Sequence, residues 1–397
     1  MRELLTVEEA LACILEHARR LAPETVPLES AAGRILAEPA RALVDLPPFP
    51  SSAMDGYAVR AEDTPGVLPV AVRVAAGHPA AGPLAHGSAA AIATGGVVPE
   101  GADAIVPIEN AVERDGHVEV AERPEIGAHV RARGGDVRAG DVVADAGERL
   151  GAVQIGALAA AGVAGVSSAR RPRVAVLATG SELRSPGDPL APGEIYESNR
   201  QMIAAALRLT GAEIDLLPAV ADDDSSHRDA LERGLTADVL VTSGGVSVGP
   251  HDLVRRIESE LGVEELFWGV AIKPGKPLSF GVRGDTLVFG LPGNPVSSLV
   301  GSFVFVAPAL LALQGAAEPG PVYDAGRTSA ALRRNPHRDE FVRARKTLDD
   351  TGAVLAAVSG QESHMVARAA SADVLVHVPR GQGDIAAGKT VRYLSLA

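Results

Sequence analysis

Cysteine occurs once in this 397-residue chain, at position 13. That excludes an intrachain disulfide and a thiolate zinc site, and it agrees with a reducing, cytoplasmic setting. Aromatic residues make up only 3% of the chain, too few for the stacking platforms that hold single-stranded nucleic acid. The net charge of −13 leaves no broad basic face, so nucleic acid is not an expected partner. Ten histidines are scattered without HExxH or HxH spacing, which removes support for zinc hydrolysis. A signal peptide is not expected, because charge comes too early and too often at the N-terminus. One uncharged stretch, residues 291–317, is long enough for a membrane span, but Gly301, Pro308 and Gln314 interrupt it. A buried helix is expected there, with no membrane association.

Lysine is scarce too. Only four of the 37 basic residues are lysines, and two of them, Lys273 and Lys276, share the run KPGKP. An ammonium is a compact point charge on a flexible stem, whereas guanidinium is a planar fork. Two lysines beside a Pro-Gly turn, in a chain that otherwise uses arginine, mark a local pocket for an anion. The segments C-terminal to them support this. Residues 278–282 (LSFGV) and 286–290 (TLVFG) form an expected hairpin about a turn at Arg283-Gly284-Asp285. The second strand runs into LPGNPVSS, where Asn294 suits an N-cap and Pro295 a first helical position. The hairpin thus brings the lysines to a helix start, whose free N–H groups and dipole favour an oxyanion or phosphate. The plainer alternative is a surface turn followed by a core helix.

At 397 residues the chain exceeds one ordinary core, and length alone suggests about three domains. Its 46% apolar and 22% charged content is that of a soluble globular protein. The expected fold is α/β and multidomain. A capping box, Thr6-Val7-Glu8-Glu9, opens an amphipathic helix, and a short strand and a second helix follow before Pro39. Between 46 and 139 Gly and Pro recur, and short strands at 68–74 and 117–121 suggest an inserted β-rich domain. Helix returns at 151–161, so residues 1–45 and 140–169 are expected to form one discontinuous helical domain. Beyond RRPR (170–173), strands at 174–178, 212–220 and 238–242 alternate with helices at 200–209 and 226–234. That alternation predicts a parallel α/β domain over 170–316. Short strands at 341–347, 354–358, 374–378 and 390–394 predict a small C-terminal β domain over 317–397.

Open parallel sheets bind ligands beyond the carboxyl ends of their strands. The loops at that edge are Thr179-Gly180-Ser181-Glu182, Asp222-Asp223-Asp224 and SGGVSVG (243–249), with Asp252 shortly after. Glu182, Asp223, Asp224 and Asp252 follow three different expected strands yet converge there, an oxygen-rich setting that suits Mg²⁺ on a phosphate. Asp-Asp-Asp-Ser-Ser is also a good helix N-terminus and Glu182 a first-turn carboxylate, so both readings stand. Gly244, Gly245 and Ser247 belong to a loop that is neither Walker A nor GxGxxG, but whose backbone N–H groups can cradle a phosphate. In the β-rich domain, Asp55-Gly56 and Thr94-Gly95-Gly96 read as tight turns, and no spacing connects them to the lysines.

Ten segments, in order, resemble the molybdopterin molybdenumtransferase family (MoeA, and the E domain of gephyrin-type proteins). They are AAGRILAEP, LPPFPSSAMDGYAV, TGGVVPEGADAIVPIE, GGDVRAGD, VLATGSEL, IYESNR, SGGVSVGPHD, AIKPGKPLSFG, FGLPGNPVSS and EFVRA, and they run from about residue 30 to the end. The resemblance implies a MogA-like third domain and an elongated homodimer with its active site between subunits. The third domain of one copy would face the β-rich domain of the other. It implies a transferase that takes molybdate and adenylylated molybdopterin, inserts molybdenum into the dithiolene and releases AMP, with Mg²⁺ as cofactor. By motif, Asp55, Thr94 and Asp136 belong to the cleft wall of the β-rich domain. Asp55, Glu182, Asp223 and Asp252 match catalytic acids, the last three tied to the metal. Gly244, Gly245, Ser247, Lys273, Lys276, Asn294, Pro295 and Ser297 match positions near phosphate or molybdate, and Arg343 and Ser363 cleft positions of the last domain.

Three residues depart from that pattern: Gly269 where relatives often carry a basic residue, Asp222 where Arg is common, and His364 where Gly is common. Two other functions compete. Molybdopterin adenylyltransferase shares the third-domain fold but normally lacks the β-rich and terminal domains. A gephyrin-like scaffold would bring a fused domain or long linker, which this chain does not show. The adenylyltransferase and molybdoenzyme maturation proteins are the expected partners.

Overall fold

Thr6 caps the first helix, Val7–His17, with a complete capping box. Its hydroxyl accepts from the Glu9 N–H at 3.0 Å and the Glu9 carboxylate accepts from the Thr6 N–H at 2.8 Å. Val7, Ala10 and Ile14 form its buried stripe. In the computed structural model, which describes residues 4–220, 223–245 and 253–396, this helix does not open a helical first domain. It shares the α/β core with Phe280, Phe305 and Leu310. Backbone bonds from Leu21 N–H to the Leu313 carbonyl and from Ala271 N–H to the Leu5 carbonyl pin it there.

The second helix expected before Pro39 is a single 3-10 turn, Leu28–Ser30, and Gly33 turns the chain in the left-handed region at φ 77°. Backbone donors of this segment reach far along the chain instead: Leu28 to Ala164, Leu36 to Glu148 and Ala37 to Ser167. Long-range pairing outweighs local helix propensity here. Strand Pro23–Pro27 runs antiparallel to Gly165–Ala169, and with helix Ala152–Ala160 encloses a small core of Val26, Leu36, Leu150 and Leu158. Between these two halves lies the β-rich insertion. Its six-stranded sheet runs in the order Ala104–Pro107, Gly56–Val59, Ala89–Ile92, Gly66–Val74, His117–Val120, Ala111–Arg114.

Arg170 marks the entry to the α/β domain and clamps it. Its guanidinium makes a bidentate pair with Asp238, at 2.7 and 2.6 Å, and Asp238 also accepts the Arg173 N–H at 2.8 Å. The sheet beyond it has the order Glu213–Leu216, Arg173–Ala178, Val239–Ser243, Thr286–Leu291, Ser279–Arg283, Glu264–Trp268. The first four strands are parallel, and Ala178, Ser243 and Leu291 share one level at their carboxyl ends. The expected hairpin is present with a two-residue turn, Gly284-Asp285, because Arg283 already pairs with Thr286. Gly284 takes φ 59°, which a tight hairpin requires of its first turn residue.

From Leu291 the chain enters the long uncharged helix, Pro295–Leu313. Length and composition would let it cross a membrane, but Val300, Val304, Phe305 and Leu310 are buried in the α/β core. Its middle, Ser302–Val306, widens into a π turn just before Pro308. Proline offers no N–H and its ring crowds the preceding turn, so a wider turn there relieves both problems.

The last domain is a closed barrel. Asp339–Asp349, Gly352–Ala357, Asp324–Thr328, Thr390–Ser395 and Val374–Val378 pair in succession, and Val374–Val378 returns to Asp339–Asp349. One further strand joins it from outside. Ile272–Lys273, from the lysine run, lies parallel to Asp339 and Glu340. The lysines therefore sit on the seam between the α/β domain and the barrel.

Candidate functional site

A cavity of about 600 Å³ opens at that seam. The α/β domain contributes Lys273, Lys276, Asn294 and Ser297 to its wall; the barrel contributes Arg338, Glu340 and the loop Gln361, Glu362, Ser363 and His364. Gly275 lies against the first helical turn: a Cβ there would be 3.6 Å from the Ser297 carbonyl. Lys273 Nζ is 2.8 Å from Glu340 Oε1, so part of the wall's positive charge is already balanced. Neither Lys276 nor Arg338 makes an ion pair among the described residues.

The helix start differs from expectation in one respect. Its donors are engaged. Asn294 caps by backbone conformation alone, with no side-chain cap bond, and its carbonyl accepts from Ser297 and Ser298 N–H at 3.0 and 3.1 Å. Pro295 has no N–H to offer. The Val296 N–H donates to the Ser363 carbonyl at 3.0 Å, docking the barrel loop on the helix. An anion here meets the lysines, Arg338 and the helix dipole rather than free helix N–H groups.

Arg343 does not face the cavity. It is 1% exposed and lies behind the loop, where its guanidinium donates to the carbonyls of Gly360 (2.7 Å), Glu362 (3.2 Å) and Met365 (3.0 Å). Burial pushes its pKa below the ordinary guanidinium value, with Glu362 opposing. Its place is that of a clasp for the segment carrying Ser363 and His364.

Of the acidic loop residues, Glu182, Asp223 and Asp224 are described; all three follow strands of the sheet at its carboxyl edge, and none is among the described residues lining this cavity. Asp223 is the N-cap of helix Asp224–Gly234: its Oδ1 accepts from Ser226 N–H and Ser225 Oγ, both at 2.9 Å. Those hydrogen bonds hold its carboxyl at about 2. Glu182 is exposed and folds its carboxylate over Gly180. Gly244 ends the neighbouring strand at φ 97°, and a Cβ there would come within 2.8 Å of the Thr179 carbonyl oxygen. Glycine is required for that close approach. Gly245 follows it at φ 65°. Ser247, Asp252 and Asp222 lie outside the described residues.

Asp55 and Thr94 meet each other in the β-rich domain. One carboxylate oxygen, Oδ1, accepts both the Thr94 N–H at 2.6 Å and the Thr94 hydroxyl at 2.9 Å. The backbone donor first, then the hydroxyl, lowers the Asp55 pKa below the usual carboxylate value. The two turns are tied by Ser52, whose N–H donates to Gly96 and whose carbonyl accepts from Gly95. Asp136 is exposed on an adjoining loop, with its N–H on the Leu46 carbonyl at 2.9 Å. Within one chain this group does not reach the lysine cavity. Gly269, at φ 90°, donates its N–H to the Leu278 carbonyl and presents no side chain.

Among the described residues, Glu62, Asp63 and His86 form a group close enough to share a metal ion. Asp63 already receives the Gly87 N–H at 2.8 Å, and Arg60 lies 3.8–4.0 Å from both acids, so the cluster has local partners. Residues 383–390 fit GxxxxGKT spacing, but they join two strands, with Gly388 N–H on the Thr328 carbonyl. No helix follows, so the phosphate-loop geometry is not built.

Sequence reasoning passed over Arg338, Glu340, Gln361 and Glu362 as cavity residues. The strand pairing that brings Glu340 to Lys273 spans 67 positions and leaves no local spacing.

Three family models cover most of the chain: the MoeA N-terminal region (domain I and II) at 5–162, a "probable molybdopterin binding domain" at 175–312, and the MoeA C-terminal region (domain IV) at 325–396. A molybdopterin molybdenumtransferase 2 of Mycobacterium tuberculosis is 37% identical over 98% of this chain and 99% of its own. A molybdopterin molybdenumtransferase of Haemophilus influenzae is 34% identical over 98% of each. Two crystal structures of MoeA proteins from Pyrococcus horikoshii superpose over essentially the whole chain, with TM-scores of 0.83 and 0.85 at 32% and 28% identity. The chain belongs to the MoeA family of molybdopterin molybdenumtransferases, the transferases of molybdenum cofactor biosynthesis.

Proposed function

We propose that the chain takes molybdate and adenylylated molybdopterin, places molybdenum on the dithiolene and releases AMP. The observation that carries this reading is the cavity of Lys273, Lys276 and Arg338 at the helix start. Molybdate is a dianion and AMP leaves with negative charge, so cations fixed in advance stabilise both. Lys276 and Arg338, which lack carboxylate partners among the described residues, bind the oxyanion. Ser297 and Ser363 supply hydroxyl donors. Lys273 is held by Glu340 and orients the wall.

Mg²⁺ needs one or two carboxylates and fills its shell with phosphate and water. Glu182 and the second oxygen of Asp223 fit that requirement chemically, and the ion would draw charge from the phosphates. The pterin is held between two copies of the chain. Asp55, Thr94 and Asp136 form a prepared acidic surface outside the cavity, and a second copy's β-rich domain supplies that surface to it. Leu43 and Val153, 66% and 81% exposed, offer apolar area for the contact.

The experiment is AMP release by purified protein given adenylylated molybdopterin, Mg²⁺ and increasing molybdate. Release that saturates with molybdate, with molybdenum in the pterin product, is expected. AMP release indifferent to molybdate, or no metal in the product, removes this function.

A further inference from the structure

We propose that Asn199 is a positioning residue for the oxyanion site, fixing the Pro292-Gly293-Asn294 turn from inside the α/β domain. The inference rests on the reading of the lysine cavity as the molybdate site. Asn199 opens the helix Asn199–Arg208 and is buried. Its Nδ2 donates to the Gly293 carbonyl at 2.7 Å and to Ser243 Oγ at 2.8 Å. A carbonyl can only accept, which fixes the orientation of the amide.

The neighbouring carbonyls of the turn are held from the same side. Gly244 N–H donates to the Leu291 carbonyl at 3.1 Å. The buried hydroxyls of Ser243 and Ser298 both donate to the Pro292 carbonyl. Leu291, Pro292 and Gly293 are thus each tied to the interior, and Asn199 makes the last tie before Asn294 and Ser297 enter the cavity wall. It joins three segments that are distant in sequence: a helix start, the end of strand Val239–Ser243 and the turn.

Stability alone does not explain this side chain. Its Oδ1 is buried with no hydrogen-bond partner among the described residues. An amide with half its capacity unused costs folding free energy relative to a well-packed apolar residue. Holding the turn at a fixed height accounts for it, because an anion clamp displaced by a fraction of an ångström loses its alignment.

The test measures AMP release against molybdate, together with thermal unfolding, for wild type, Asn199→Ala and Ser243→Ala. Asn199→Ala is expected to raise half-saturating molybdate about tenfold while kcat at saturation stays within about threefold. Ser243→Ala, which removes one arm, is expected to raise it about threefold. A folded Asn199→Ala protein with wild-type molybdate dependence overturns the inference, as does loss of kcat with unchanged half-saturation. If Asn199→Ala shows no cooperative unfolding, Ser243→Ala decides by the same two quantities. Wild-type protein that ignores molybdate overturns the function itself; an active wild type with unaffected variants overturns only the role of Asn199.

Discussion

Lys273 and Glu340 are paired twice, by strand register and by an ion pair of 2.8 Å between Nζ and Oε1. The pairing joins the α/β domain to the barrel and neutralises one of the two lysine charges. Lys276, three residues on, has no such partner among the described residues. Lys276→Ala should therefore raise half-saturating molybdate about tenfold, the loss of one charge-assisted contact. Lys273→Ala should raise it less than about threefold and lower the thermal midpoint instead, since Glu340 is left 15% exposed without its cation. Molybdate titrations and thermal unfolding of both variants separate the two roles.

Arg343 tests whether the barrel loop needs its clasp. Arg343→Met keeps much of the volume and deletes donors to three carbonyls. A loss of about 1–3 kcal/mol in urea unfolding is expected from unpaired buried acceptors. Molybdate half-saturation should rise as well, because Ser363 and His364 lose their fixed position. Unchanged stability would mean that the loop is held by other contacts.

Asp223 serves a helix cap, and a metal role can be separated from it. Asparagine caps nearly as well as aspartate, so Asp223→Asn should leave the thermal midpoint near wild type, while Asp223→Ala should lower it. If Asp223 also holds Mg²⁺, the Asn variant should need about tenfold more Mg²⁺ for AMP release. The carboxyl is held at about 2 in the fold, below its unfolded value. Its contribution to stability is therefore present above the ordinary carboxylate range and disappears as the pH falls toward 2. Acid unfolding of the Asn variant should lack that component.

Asp238 predicts how the clamp at the entry to the α/β domain responds to acid. Burial raises its pKa, but the hydrogen bonds from Arg170 and Arg173 more than offset this, and the net position is below the usual carboxylate value. The clamp is complete above the unfolded carboxylate range and is lost as the pH falls through the lowered folded value. Asp238→Ala should cost about 1–3 kcal/mol at neutral pH. It should also flatten the stability profile below about pH 4, as read by urea unfolding at several pH values.

The α/β domain was legible because buried parallel strands are short apolar runs with glycine at their ends: VAVLATG, VLVTSGG and TLVFGLPG. The barrel was less so. Its first strand, Asp324–Thr328, reads DAGRT, and only Gly326 and Thr328 are buried, so no apolar alternation announces it. The opening helix was legible as a helix but not in its allegiance, since amphipathicity says that a face is buried and not against what. The site divided the same way. Lys273, Lys276, Asn294 and Ser297 lie close in sequence and stand together in the cavity. Arg338, Glu340 and the loop at 361–364 reach it only through the barrel's closure. The engaged donors at the helix start were invisible for the same reason, because Ser363 comes from another domain.

The helix Pro295–Leu313 meets the cavity at its first turn and the chain's opening segment at its last, where Leu313 accepts the Leu21 N–H. Just beyond it, Gln314 Nε2 donates to the Thr210 carbonyl at 3.0 Å. An element tethered at both ends cannot slide along its axis to admit a larger or smaller oxyanion. Redesigning the cavity for another metal oxyanion would then act through the barrel loop opposite. The helix is the jaw of a vice built into the core, and the facing jaw is a loop of a separate domain, docked on it through Val296 and Ser363.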